Sequence, residues 1–205
     1  MNLLNLIENT CGFINQCNKI QVLRYDIQLN NEKYDFNDLE NKIGFKFKEN
    51  IKEIYSRYKS INLTWEIEET RERGYFNLIP CDHLYSYYKE QVEISKEFIG
   101  YDEIEDLECI LEDIKSWIPF CTFPNGDAFC IDKRNSKVVF YEHDVFDSGI
   151  NLHGLVIAKS IEDLIIKWSK VLFIDIYDWY DGVDEEEGID LSKDVYKNVI
   201  NIANN

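Results

Sequence analysis

A chain of 205 residues with 45% hydrophobic and 14% aromatic content can bury a substantial core, which excludes a disordered polymer and sets the expectation of one domain. Its 39 acidic residues against 22 basic ones give a formal charge of −17, which disfavours nucleic acid and anionic membranes as partners. No window approaches the roughly 18 uninterrupted apolar residues of a membrane span, and Met1 to Phe13 carries no Lys or Arg, so the expected location is cytoplasmic.

In chain order, Leu3 to Ile14 has helical spacing, and Lys19 to Leu29 alternates as a strand does. Phe36 to Ile43 is a short helix stopped at Gly44. Asn50 is placed to cap the next helix, with Glu53 three residues on and Ile51, Ile54, Tyr55 and Tyr58 along one face. Leu63 to Ile67 and Tyr75 to Ile79 form a hairpin around a charged connection. His83 to Phe98 is helical, and Asp102 to Ile114 shows one apolar stripe (Ile104, Leu107, Ile110, Leu111, Ile114) on an otherwise carboxylate surface. Strands follow at Trp117 to Thr122, Ala128 to Asp132, Lys137 to Glu142 and Gly154 to Ala158. Ser160 then caps a helix with Glu162 and Asp163 in its first turn. Helices first and last with strands between them predict an α+β fold, a mostly antiparallel mixed sheet with flanking helices.

The acidity is local. Fifteen acids lie in two stretches without Lys or Arg, Asp102 to Ile114 and Asp175 to Leu191, and without them the formal charge would be −2. Such fields steer encounters with basic partners. The candidate partner-binding residues are Asp102, Glu103, Glu105, Asp106, Glu108, Glu112 and Asp113 in the first stretch, and Asp178, Asp181, Asp184, Glu185 and Glu186 in the second. The bland alternative is a solvated helix face followed by a frayed tail.

Other chemistry finds little support in the residues. His83, His143 and His153 lack zinc spacing, Asp178 to Glu187 lacks the ligand order of a calcium loop, and no metal or cofactor is expected. His143-Asp144 lacks a nucleophile turn, and Pro124-Asn125-Gly126-Asp127 lacks the Lys-Ser/Thr of a phosphate loop. Six cysteines without a C-x-x-C pair read as buried thiols.

Taken together, Asp38 to Gly44, Leu63-Thr64-Trp65, Gly74 to Pro80, Trp117-Ile118-Pro119-Phe120, Asn125-Gly126-Asp127, Phe129 to Asp132, Val138 to Tyr141, His143-Asp144 and Ala158 to Leu164 resemble the SUKH superfamily of Smi/Knr-like proteins. The resemblance covers about residues 36–173. It leaves 1–35 as an N-terminal extension and 174–205 as an acidic segment of a single 1–205 domain. Lys48 stands where the family usually has a Pro, and Ser60-Ile61-Asn62 where it often has Asn-Gly.

The resemblance implies a SUKH-like α+β fold without enzymatic activity. It implies framework roles for Trp65, Gly74, Pro80, Trp117, Pro119, Gly126, Asp127, Asp132 and Ser160. In function it implies a bacterial immunity protein that neutralises a partner toxin, often a nuclease; the clustered acids add the expectation that this toxin domain is basic, and a monomer is expected. A regulatory scaffold of cell-wall synthesis is the alternative, and a carboxylate-based hydrolase a distant third.

Overall fold

The computed structural model describes residues 2–31, 34–100, 106–148 and 152–204. Helix α1 (Leu3–Gln16) begins where Asn2 Oδ1 accepts the Leu4 N–H at 2.9 Å, and it buries Leu3, Ile7, Cys11 and Ile14. Strand β1 (Gln21–Leu29) leads to α2 (Phe36–Ile43), which ends at Gly44 with φ +72°, the left-handed conformation that glycine adopts without a Cβ penalty. Helix α3 (Glu49–Arg57) starts one residue before the expected cap. Lys48 holds the N-cap position without a side-chain bond, and Asn50 lies inside the first turn. The helix then runs directly into β2 (Tyr58–Ile67), which leaves no loop for an Asn-Gly turn.

The sheet continues through β3 (Glu72–Leu78). Helices α4 (Leu84–Lys96) and α5 (Leu107–Ser116) follow before β4 (Trp117–Thr122), β5 (Ala128–Asp132) and β6 (Val138–Tyr141). Helix α6 (Val145–Ser148), β7 (Val156–Ala158) and α7 (Ile161–Trp168) complete the region of family resemblance. Strands run β1-β2-β3-β4-β5-β6-β7 across the sheet, every pairing antiparallel, so the class is α+β with flanking helices.

Two hydrophobic clusters explain the strand sequences. On one face Ile61, Leu63, Trp65, Phe76, Leu78, Phe129, Ile131 and Phe140 pack under α1, α3 and α7. On the other, Trp117, Ala128, Cys130, Val139 and Tyr141 pack under Ile110 and Ile114 of α5. Strands β4 to β6 are therefore apolar at nearly every position, as sheets covered on both sides are. In β2, Asn62, Thr64 and Glu66 stay partly exposed, so only one face of that strand is fully buried.

The acidic C-terminal stretch is not a solvated extension. Left-handed Leu172 and Phe173 (φ 56° and 58°) turn the chain so that β8 (Ile174–Asp175) adds to β3. Two buried indoles lock this turn, Trp65 Nε1 donating to the Leu172 carbonyl and Trp168 Nε1 to that of Ile174, each at 2.7 Å. Ile176 and Trp179 are buried. Strands β9 (Val183–Asp184) and β10 (Gly188–Ile189) then pair, and α8 (Lys197–Ala203) buries Val199. Gly188, with φ +76°, brings β10 so close to β7 that a Cβ there would lie 2.2 Å from the Ile157 carbonyl oxygen. Acids occupy the turns and apolar side chains the interior, which is why a count of charges misreads this segment.

Candidate functional site: two acidic surfaces

Asp102, Glu103 and Glu105 lie outside the described residues. Asp106 precedes α5 with φ 56° and makes no side-chain cap. Because Ile110, Leu111 and Ile114 are buried, Glu108, Cys109 and Glu112 are turned to water; Cys109 is thus an exposed thiol rather than a buried one. Asp113 is held differently. Its Oδ1 accepts from Arg134 Nη2 at 2.7 Å, and the same guanidinium grips Asp132, which is 3% exposed. Burial would raise the Asp132 carboxyl, yet the Arg134 guanidinium and N–H hold it below its usual value. Asp113 and Asp132 therefore fasten α5 to the β5–β6 turn, a pairing that spacing along the chain does not announce.

In the second stretch the carboxylates divide in the same way. Asp178 accepts the Tyr180 N–H at 2.9 Å, while Asp184 accepts those of Glu186 and Glu187 at 3.0 and 2.9 Å, which hold its pKa down. Glu187 pairs with Lys159. Asp181, Glu185 and Glu186 are exposed. The two stretches are anchored in different clusters on opposite faces of the sheet, α5 through Ile110 and Ile114 and the β9–β10 hairpin through Val183 and Ile189. Their described residues form two surfaces rather than one continuous patch.

Asp175 carries a titration consequence. Burial pushes its carboxyl from 3.8 to about 6, although Arg73 stands 3.4 Å away. The folded protein therefore holds this proton more tightly than the unfolded chain, and the penalty for ionising Asp175 grows as pH rises from about 4 through 6. Asp175→Asn should stabilise the protein by about 2–3 kcal/mol at pH 7 and by almost nothing at pH 4, checked by urea unfolding at both values.

The framework residues are structural in detail. Trp65 and Gly74 face each other across β2 and β3. Pro80 accepts the His83 N–H at 2.8 Å in the turn before α4, and Pro119 sits opposite Cys130 beside a register shift. Trp117 is buried against His153, with ring centroids 4.6 Å apart. Gly126 has φ +102°, and Asp127 Oδ1 accepts the His143 N–H at 3.0 Å and meets its Nδ1 at 2.8 Å. His143 thus pairs with Asp127, tying the β4–β5 turn to the end of β6. Ser160 accepts the Asp163 N–H at 3.1 Å and caps α7.

Among the described residues no group of three or more His, Cys, Asp or Glu is arranged to hold a metal ion, and no helix is long and apolar enough to cross a membrane.

An antiparallel sheet between two helical layers, with acid-rich elements laid on its outside, defines the molecule as an α+β protein. A model of the SMI1 / KNR4 family (SUKH-1) matches residues 32–167, and the chain belongs to that family. Comparison with curated proteins and with solved structures returned no match. The family match covers α2 to α7, including α5. It stops before β8, so the acidic hairpin lies outside the matched residues.

Proposed function

We propose that this chain is a non-enzymatic protein-binding module of the immunity type, which neutralises a toxin by setting its carboxylates against a basic domain. The observation that carries this reading is that Glu108, Glu112, Asp181 and Glu185 are exposed and their carboxylates form no hydrogen bond or ion pair among the described residues. Their neighbours Asp113, Asp178 and Asp184 are spent on structure. Unpaired like charges on a folded surface cost stability, and their return is faster encounter with a cationic partner. Membership of the SMI1 / KNR4 family supports a binding role.

The test is co-expression with the product of the neighbouring gene, scored by growth rescue, followed by association kinetics across a salt series. Glu108→Gln with Glu112→Gln should slow association about tenfold at low salt and leave dissociation nearly unchanged. Failure of rescue, or association indifferent both to salt and to neutralisation, would overturn the reading. Rescue also separates this role from scaffolding in cell-wall synthesis, which would not protect against a toxin.

A further inference from the structure

Strand β1 is the open end of the sheet, irregular at its two ends and regular between them. It stands at the end of the sheet order, pairs only with β2 among the described residues, and contains neither Lys nor Pro, two residues that usually blunt an exposed edge. Leu23, Tyr25 and Leu29 are 53%, 42% and 46% exposed. Register shifts at Val22/Arg24 and Gln28/Leu29 bracket a regular run from Arg24 to Gln28.

The charges of that run are complementary to themselves. Arg24 has no ion-pair partner among the described residues, and Asp26 meets only Gln28 Nε2, at 3.4 Å. Arg24 pairs with Thr64 and Asp26 with Asn62, so both lie on the polar face of β2, while Tyr25 and Ile27 share the apolar face with Leu63 and Ile61. An antiparallel second copy centred on Tyr25 sets each Arg24 opposite an Asp26 within that regular run. The two tyrosines then meet at the two-fold axis. Centring on Asp26 would oppose two carboxylates instead, so charge selects the register. β1 is also locally neutral in a chain of −17, one edge where another copy meets no local excess of like charge.

We propose that two copies of this chain dimerise by antiparallel pairing of their β1 edges in the Tyr25-centred register, joining two sheets into one. This departs from the monomer expected from sequence and is independent of the acidic surfaces. Sedimentation at physiological ionic strength, where charges more than about 8 Å apart are screened, tests it. The wild type should show a concentration-dependent dimer. Arg24→Asp alone opposes carboxylates, and Asp26→Arg alone opposes guanidiniums; each should weaken dimerisation about tenfold or more. Mixing the two variants restores both pairs and should recover a heterodimer, which also shows that each variant is folded. A wild type that stays monomeric, single variants that dimerise as the wild type does, or a mixture that fails to pair would each overturn the proposal.

Discussion

Gly74→Ala should lower the unfolding free energy by about 3 kcal/mol, read as a fall in the urea midpoint at unchanged slope. A Cβ on Gly74 would lie 2.3 Å from both Cε2 and Nε1 of Trp65, its cross-strand partner. That indole has no room to retreat. It is fully buried, and its Nε1 is committed to the Leu172 carbonyl at 2.7 Å, in the turn that brings β8 beside β3. Either the strands part or the hydrogen bond breaks, and a buried donor left unpaired costs about 1–3 kcal/mol by itself. Trp65→Phe should lose stability alone but relieve the clash, so Trp65→Phe with Gly74→Ala should cost less than the sum of the two. Strict additivity would show that the pair does not interact as the geometry requires.

Trp65 and Gly74 illustrate what the sequence discloses and what it withholds. Both stand out as framework positions of a hairpin, yet their direct opposition depends on register, which the turn and the buried face set together. Local signals carry well where side-chain chemistry acts within a few residues. Gly44 ends α2 as expected and Ser160 caps α7, whereas at α3 the cap is Lys48, a residue with no capping side chain, and the Asn50 signal lies two positions late. The acidic stretches show the larger gap. Asp113 is claimed by Arg134, twenty-one residues away, and Asp178, Asp184 and Asp190 by backbone N–H groups of their own turns. Charge density along the chain does not distinguish these from Glu108, Glu112 and Glu185. Nor does it reveal that Ile176, Trp179, Val183 and Ile189 pull the segment into the core, because apolar residues spaced by short turns have neither helical nor strand period.

Glu40→Ala should cost about 3 kcal/mol, because it breaks a buried ion pair from one side. Glu40 is 3% exposed in α2, on the stripe that otherwise carries Phe36, Leu39 and Ile43. Its Oε1 accepts the Phe47 N–H at 2.9 Å and lies 2.9 Å from Lys52 Nζ, while Oε2 lies 2.9 Å from Lys46 Nζ. One carboxylate thus closes the connection between α2 and α3. Truncation leaves the Phe47 N–H without an acceptor and leaves Lys52, whose side chain is 25% exposed, with only the more distant Glu49 carboxylate at 3.9 Å. Glu40→Gln keeps an acceptor for the N–H and should cost about half as much. Burial by itself would raise the Glu40 carboxyl, but Lys46, Lys52 and the Phe47 N–H outweigh it and hold the folded pKa below the ordinary 4.5. A carboxyl depressed by folding lends its stability above the unfolded pKa and withdraws it as pH falls through the folded one. Glu40→Gln should therefore flatten the acid limb of the stability curve below about pH 4.5, the opposite slope to the one that Asp175→Asn removes between about 4 and 6. An acid limb unchanged in Glu40→Gln would mean that the carboxylate is not the clamp between α2 and α3.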